Sequence, residues 1–499
     1  MKRNVFKIFI TVLAIMLGSN GYIFGQYSFN QIGSDIYGDN NYDSFGQAIS
    51  INGEGNVIAA CSPYYSNVVA WGGQVKVFEE NNGEWVQKGN DILGTSEEEG
   101  LGWSVGLNNA GDIMVIGVPY NQEAGSSYGK VLVFHFVNGE WVQLGNAIFG
   151  ESDGDLAGWT VSINASGYTI AVGAVEAVDN DIETGLMRVY EYNQTNETWE
   201  KFGNDMEGNT INSYFGYSLD INDEGNIVAA GAPSDNTNGT DAGIVKIYEK
   251  SNNDWIQKGQ SITGNPGYQL GWSLSLTNDG NKIAIGANKA NNDNGIVKTF
   301  IFNNGNWEQF GNSIEGDDNN GGSSVSLNAE GNRISVGFAG DASQGNATGM
   351  LIVFKLNSGS WEQIGPTLFG NNEYDSYGSD TDFNDAGDIF IVSAENNSDI
   401  GEFRGKVQIY QIEDPNGITS MQINIDVAPN PFSDYLKINS SKNIHNVFIY
   451  DVYGRKVFEK NYQEIKSITL PVQMLKRGIY FITFDYGGQS IITKKIVKY

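Results

Sequence analysis

Oxygen-bearing side chains alternate in three short segments: Asp39-x-Asn41-x-Asp43, Glu151-x-Asp153-x-Asp155 and Asn371-x-Glu373-x-Asp375. Oxygens at alternate positions suit a hard cation such as calcium. No distal bidentate glutamate follows at the usual spacing, so such a site would be weak, and solvated turns are the competing reading. A second group is aromatic. Trp103, Trp159, Tyr217 and Trp272 each follow a glycine at one point of a repeated unit, where Gln47, Ser323 and Ser379 stand in the other copies. An arc of such rings suits stacking on sugars, and packing between repeats explains it equally well. Trp71, with Tyr64 and Tyr65, lies in a long segment of little apolar context and reads as an exposed contact.

The ingredients for catalysis are thin. His135 sits in a strand pattern between Phe134 and Phe136, and His445 lies near the C-terminus. Neither forms a recognisable arrangement with Cys61, the lone cysteine. Zinc spacings, phosphate loops and serine elbows do not appear. Asp380 and Asp382, with Asp220, are carboxylates in a position to do acid–base work. They make a polysaccharide-degrading hydrolase or lyase the alternative to a non-enzymatic binding protein.

The elements that must carry these residues come from a repeat. An aromatic residue followed four positions later by glycine occurs seven times: Phe29/Gly33, Trp85/Gly89, Trp141/Gly145, Trp199/Gly203, Trp255/Gly259, Trp307/Gly311 and Trp361/Gly365. The anchors are 56, 56, 58, 56, 52 and 54 residues apart. In the copy FGYSLDINDEGNIVAAGAP…GIVKIYEKSNNDWIQKG, four short strand patterns alternate with Asn/Asp/Gly turns. Units of this length with four strands build a β-propeller. The chain opens on an outer-strand segment, Phe29 to Ile36, and its last copy lacks one. The N-terminal segment is therefore expected to complete the last blade, leaving no bare edge. The fold class expected is all-β: a seven-bladed propeller over residues 27–412, then a small antiparallel sandwich over 425–499, joined by a linker at 413–424. The long variable loops share one face, and that face is where binding is expected.

Residues 27–412 hold 15 Lys+Arg against 51 Asp+Glu, a net of −36. Such a body repels phosphate, so nucleic acid is excluded as a partner class. Residues 1–26 read as a signal peptide: Lys2, Arg3 and Lys7 precede an apolar run from Ile8 to Leu17. That run is too short to span a bilayer, and no transmembrane segment is expected in the mature chain. With one cysteine, stability has to come from packing and closure.

Two resemblances add to this. Phe215-Gly216 followed by Gly231-Ala232-Pro233, with partial matches such as Phe45-Gly46/Pro63 and Leu270-Gly271/Gly286-Ala287, resembles the FG-GAP repeat of integrin α-subunit propellers. The loops NGEGN, NNAGD, NASGY, NDEGN, TNDGN, NAEGN and NDAGD, however, offer too few carboxylates for the calcium loop those repeats carry. Pro429-Asn430-Pro431, Tyr450-Asp451-x-x-Gly454, Gly478-Ile479-Tyr480 and the basic final strand resemble the type A C-terminal sorting domain of the type IX secretion system of Bacteroidetes. That resemblance implies a translocon as partner and a secreted or cell-surface location. Together these features predict a secreted, non-enzymatic binding or adhesion propeller with a glycan or protein ligand, and calcium as the one conceivable cofactor.

Overall fold

The computed structural model describes residues 27–179, 182–316, 321–414, 425–429, 432–451, 455–485 and 491–498. The signal segment 1–26, most of the linker, and Asn430, Pro431 and Gly454 lie outside the described residues. The chain divides into two compact units, one of them Tyr27–Glu413.

This unit is a seven-bladed propeller. Blade 1 runs Ile49–Ile51, Val57–Ser62, Gln74–Asn81 and Glu84–Gln87 from the channel outward. Blade 4 repeats the order with Ser218–Ile221, Ile227–Ala232, Ile244–Ser251 and Asp254–Gln257. All pairings are antiparallel, and every second strand is buried along nearly its whole length because blades cover both of its faces. Blade 7 has Tyr377–Phe383, Ile389–Ala394 and Lys406–Glu413, and its fourth strand is Ser28–Gln31 from the N-terminal end. The register Ser28↔Glu413 to Gln31↔Tyr410 closes the ring as expected.

The aromatic-to-glycine repeat has a direct physical cause. Each glycine sits in the left-handed region, with φ between +65° and +77°, and bulges the outer strand. A methyl group on Gly33, Gly89, Gly145, Gly203 or Gly259 would lie 2.9–3.1 Å from the Cδ1 of the next blade's tryptophan. The anchor ring of one blade therefore fills the space above the glycine of the blade before it. The indole N–H groups of Trp85, Trp141, Trp199, Trp255 and Trp307 also donate to the carbonyl oxygens of Ile32, Lys88, Leu144, Phe202 and Lys258, over 2.7–3.2 Å. Phe29 fills the same place over Gly365, so the closing seam has the packing without the hydrogen bond.

The turn signature between first and second strands is explained by its leading asparagine. Asn52, Asn108, Asn164, Asn222, Asn328 and Asn384 are all buried. The side-chain oxygen of each accepts the backbone N–H groups four and five residues on, fixing the hairpin. Thr277 takes this place in blade 5 through its hydroxyl. These loops are hairpin caps.

The C-terminal unit is one five-stranded antiparallel sheet rather than two separate ones. Tyr435–Asp451 pairs with Ile425–Ala428, Lys456–Pro471 and Gly478–Asp485, and the last of these with Ile491–Lys498. Register shifts in the long Tyr435–Asp451/Lys456–Pro471 pair let the sheet curl around Leu436, Ile438, Val447, Ile449, Leu470, Ile482 and Phe484. Asp451 anchors its turn by accepting the Arg455 N–H at 3.0 Å and the Arg455 guanidinium at 2.7 Å.

Candidate functional site

First strands converge on a central channel of about 310 Å³. Their outward-bent backbone N–H groups need acceptors, and these come from the neighbouring blade. Ser50 accepts from Leu107, Ser162 from Ile221, Asp220 from Leu276, Ser275 from Leu327, Ser326 from Phe383, and Asp382 from Ile51, at 2.8–3.4 Å. Gly106 holds the seventh position and offers no oxygen. One layer up, Ser104, Thr160, Ser218, Ser273 and Ser324 donate to the carbonyls of Gly158, Gly216, Gly271, Gly322 and Gly378 of the next blade. Asp380 occupies this layer in blade 7 and accepts the Ile49 N–H at 3.0 Å instead.

The carboxylates singled out as acid–base candidates therefore serve as ties across blade seams. Burial pushes the Asp380 and Asp382 carboxyls up to about 7, against the opposing pull of their backbone hydrogen bonds. Burial raises Asp220 as well. Of the three, only Asp380 also reaches the channel mouth.

The channel is stopped at its short-turn end. Asn109 and Asn278 donate to Asp385 at 2.6 and 3.0 Å, and Asn278 to Asp223 at 2.6 Å. Small residues at the equivalent turns, Gly53, Ala165 and Ala329, leave room for these longer side chains. Burial, with the nearby Asp385 charge, moves Asp223 up to about 6.

At the opposite end the mouth, about 340 Å³, has two unlike sides. Trp103, Trp159, Tyr217 and Trp272 form a continuous arc, with centroids 5.2, 5.8 and 4.8 Å apart and planes tilted 43–48°. Gln47, Ser323, Ser379 and Asp380 form the polar remainder. All four arc residues are half-buried, each ring leaning on the next. Burial drives the Tyr217 hydroxyl up to about 12. The arc continues outward through Tyr64 and Tyr120, at 6.3 and 5.1 Å from Trp103. Trp71 is 56% exposed and Tyr64 38%, whereas Tyr65 is buried with its hydroxyl accepting from Asn67. Tyr120 and Glu98, which line the same cavity as Trp71, were missed by spacing alone. Aligning GVPY with CSPYY would have exposed the first, since Tyr64 and Tyr120 fall at one repeat position.

The alternate-oxygen segments are brought together with cations and amides of the chain itself. Asp39 meets Lys76 at 2.6 Å and Gln74 at 3.0 Å. Asp43 caps the Asn40 N–H, and Asn41 is exposed. Glu151 and Asp155 lie 3.2 and 3.6 Å from the buried Arg188, which also meets Asp205 at 3.0 Å. Asp153 accepts the Ser126 N–H. Asp375 caps Asn371 and Asn372 and accepts from Asn397, while Asn371 donates to Asp399 and Glu373 accepts from Asn346. Among the described residues no three His, Cys, Asp or Glu side chains converge to hold a metal. Cys61 is fully buried, and burial holds its thiol well above the usual range, so it packs as a small apolar residue.

Fold and site define a propeller with one stopped and one open channel end, followed by a separate curled sheet. Residues 426–499 match the family described as a secretion system C-terminal sorting domain. That domain implies engagement with the type IX secretion machinery, and it marks the chain for secretion or attachment at the cell surface. No curated protein matches the chain. Among solved structures, a chain titled "Structure of U3-55K" aligns at 9% identity over 77% of this chain and 98% of its own, with a TM-score of 0.46. Among the described residues no helix is long and apolar enough to cross a membrane.

Proposed function

We propose that the propeller is a non-enzymatic binding or adhesion module that takes its ligand on the long-loop face. The observation that carries this reading is the divided mouth: a continuous arc of tilted aromatic rings from blades 2–5 beside Gln47, Ser323 and Ser379. A sugar ring presents an apolar face and a hydroxyl edge, and such a mouth complements both. The FG-GAP resemblance is in keeping with an adhesive role, and Phe215 of its complete copy is fully buried beside Gly216. Probing glycan and protein arrays with the purified chain tests the proposal. Binding that is lost in Trp272→Ala is the expected result; silence on both arrays refutes it.

One observation favours a second reading, a polysaccharide hydrolase or lyase. Asp380 lies at the mouth with its carboxyl near 7, within the range of a general acid. Polysaccharide turnover that vanishes in Asp380→Asn would establish it over the first.

A further inference from the structure

Beside the mouth, between blades 1 and 2, lies a distinct cavity of about 350 Å³. Its walls include Tyr64, Trp71, Trp103 and Tyr120, with Glu98, Gln122 and Ser127 as the polar groups. The rings do not form a flat platform. Tyr120 stands at 88° to Trp103, with centroids 5.1 Å apart, and Tyr64 at 77° and 6.3 Å. Two rings set nearly perpendicular to Trp103, with the exposed Trp71 lining the same cavity, make a box. Among the described residues, no lysine or arginine lines it.

The box is built on two strained loops tied to each other. Trp71 and Glu98 both hold left-handed backbone, at φ +49° and +59°. Glu98 N–H donates to the Ala70 carbonyl at 2.8 Å and Gly100 N–H to the Trp71 carbonyl at 3.1 Å, while the Trp71 N–H is held by the Ser66 hydroxyl at 3.0 Å. Other blades share the loop geometry but fill it differently. Ser127, Asp241, Ala347 and Phe403 take the place of Trp71, and Phe403 closes on Tyr42 at 5.8 Å in a stacked pair. Among the described residues, only the slot at the blade 1/2 boundary carries an exposed indole lining one cavity with a carboxylate.

Resting on the reading of this face as a binding face, we propose that the box receives a trimethylammonium group, with Glu98 as its counter-ion. Perpendicular ring faces surround a compact, weakly hydrated cation on several sides, which is the arrangement that cation–π attraction rewards. A pyranose ring instead wants one broad surface. Charge points the same way: the propeller carries 51 acidic against 15 basic residues, so it draws cations and repels anions. Glu176 lines the adjoining cavity together with Tyr120. The group could arrive on free choline or on a phosphocholine moiety, and the acidic surroundings favour the former.

Calorimetric titration of the purified full chain with choline, phosphocholine and neohexyl alcohol, the neutral isostere with carbon in place of nitrogen, tests the proposal. Choline is expected to bind saturably and at least about tenfold tighter than the alcohol. Trp71→Ala, at an exposed position, is expected to keep the fold by circular dichroism and lose most choline affinity. Glu98→Gln should weaken choline and leave the alcohol unchanged. Tighter phosphocholine than choline binding would assign the source to the phosphorylated form, with the box still confirmed. Equal binding of alcohol and choline, no saturable choline binding, or full affinity in Trp71→Ala each overturns the proposal. If choline fails while an array ligand is retained and lost in Trp272→Ala, the box falls and the wider reading of the face stands. Failure of both removes both.

Discussion

Trp255 and Gly203 offer a test of what holds the blades together. Trp255 is 7% exposed, its Cδ1 lies where a methyl on Gly203 would come to 2.9 Å, and its N–H donates to Phe202 at 3.2 Å. Trp255→Ala is expected to destabilise by ~3–5 kcal/mol, of which ~1 kcal/mol is the lost hydrogen bond. Gly203→Ala meets two penalties. The left-handed backbone at φ +75° costs an alanine ~1–2 kcal/mol, and the collision with the indole adds ~1–3 kcal/mol of overpacking. Only the second depends on Trp255. In the double variant the collision with the indole disappears while the contact with Asp254 Oδ1, 3.0 Å from the added methyl, remains, so the total should fall ~1–2 kcal/mol short of the sum of the single changes. Urea unfolding of the four proteins, followed by far-ultraviolet circular dichroism, measures the cycle. Additivity to within ~0.5 kcal/mol would refute the claim that ring-over-glycine packing joins the blades.

Replacing Arg188 by Met leaves the buried Asp155 without its cation, while Asp205 keeps Lys201 at 2.6 Å, and should cost ~3–5 kcal/mol by the same unfolding assay; a loss below ~1 kcal/mol would show the cluster to be screened by solvent. Asp380 binds its proton more tightly folded, at about 7, than unfolded, near ~3.9, so its contribution is complete below the unfolded value and is lost as pH rises through 7. Asp380→Asn should therefore flatten the decline in stability between about pH 4 and 7, and parallel wild-type and variant profiles would contradict this. Chelation should leave the melting temperature unchanged, because the alternate-oxygen loops already hold Lys76, Arg188 and backbone N–H groups; a drop of several degrees on adding chelator would show a bound cation.

The ring itself was legible because its determinants are local and repeated. A tryptophan that must reach a glycine one blade back writes its spacing into the sequence, and so does an asparagine that caps every inner hairpin. The N-terminal closing strand followed from phase alone. The site was harder. The arc residues were found because they share a repeat position, but the role of Asp380, Asp382 and Asp220 as ties across seams depends on backbone groups in a neighbouring blade. The partners of the alternate-oxygen loops were out of reach for a related reason: their counter-charges, such as Lys76 and Arg188, lie tens of residues away. Glu98 and Trp71 meet only because two loops of adjacent blades are hydrogen-bonded, which no one-dimensional pattern displays.

The pairing of Ser28 with Glu413 joins residues 385 positions apart, and it dictates an order of events in folding. Six blades complete themselves from contiguous sequence, whereas the seventh remains three-stranded, with Lys406–Glu413 unprotected, until the opposite end of the polypeptide arrives. Contacts this remote form late and slowly. During that interval the edge of Lys406–Glu413 is a bare template for a fourth strand, and the chain's own segment has the advantage of being tethered to it.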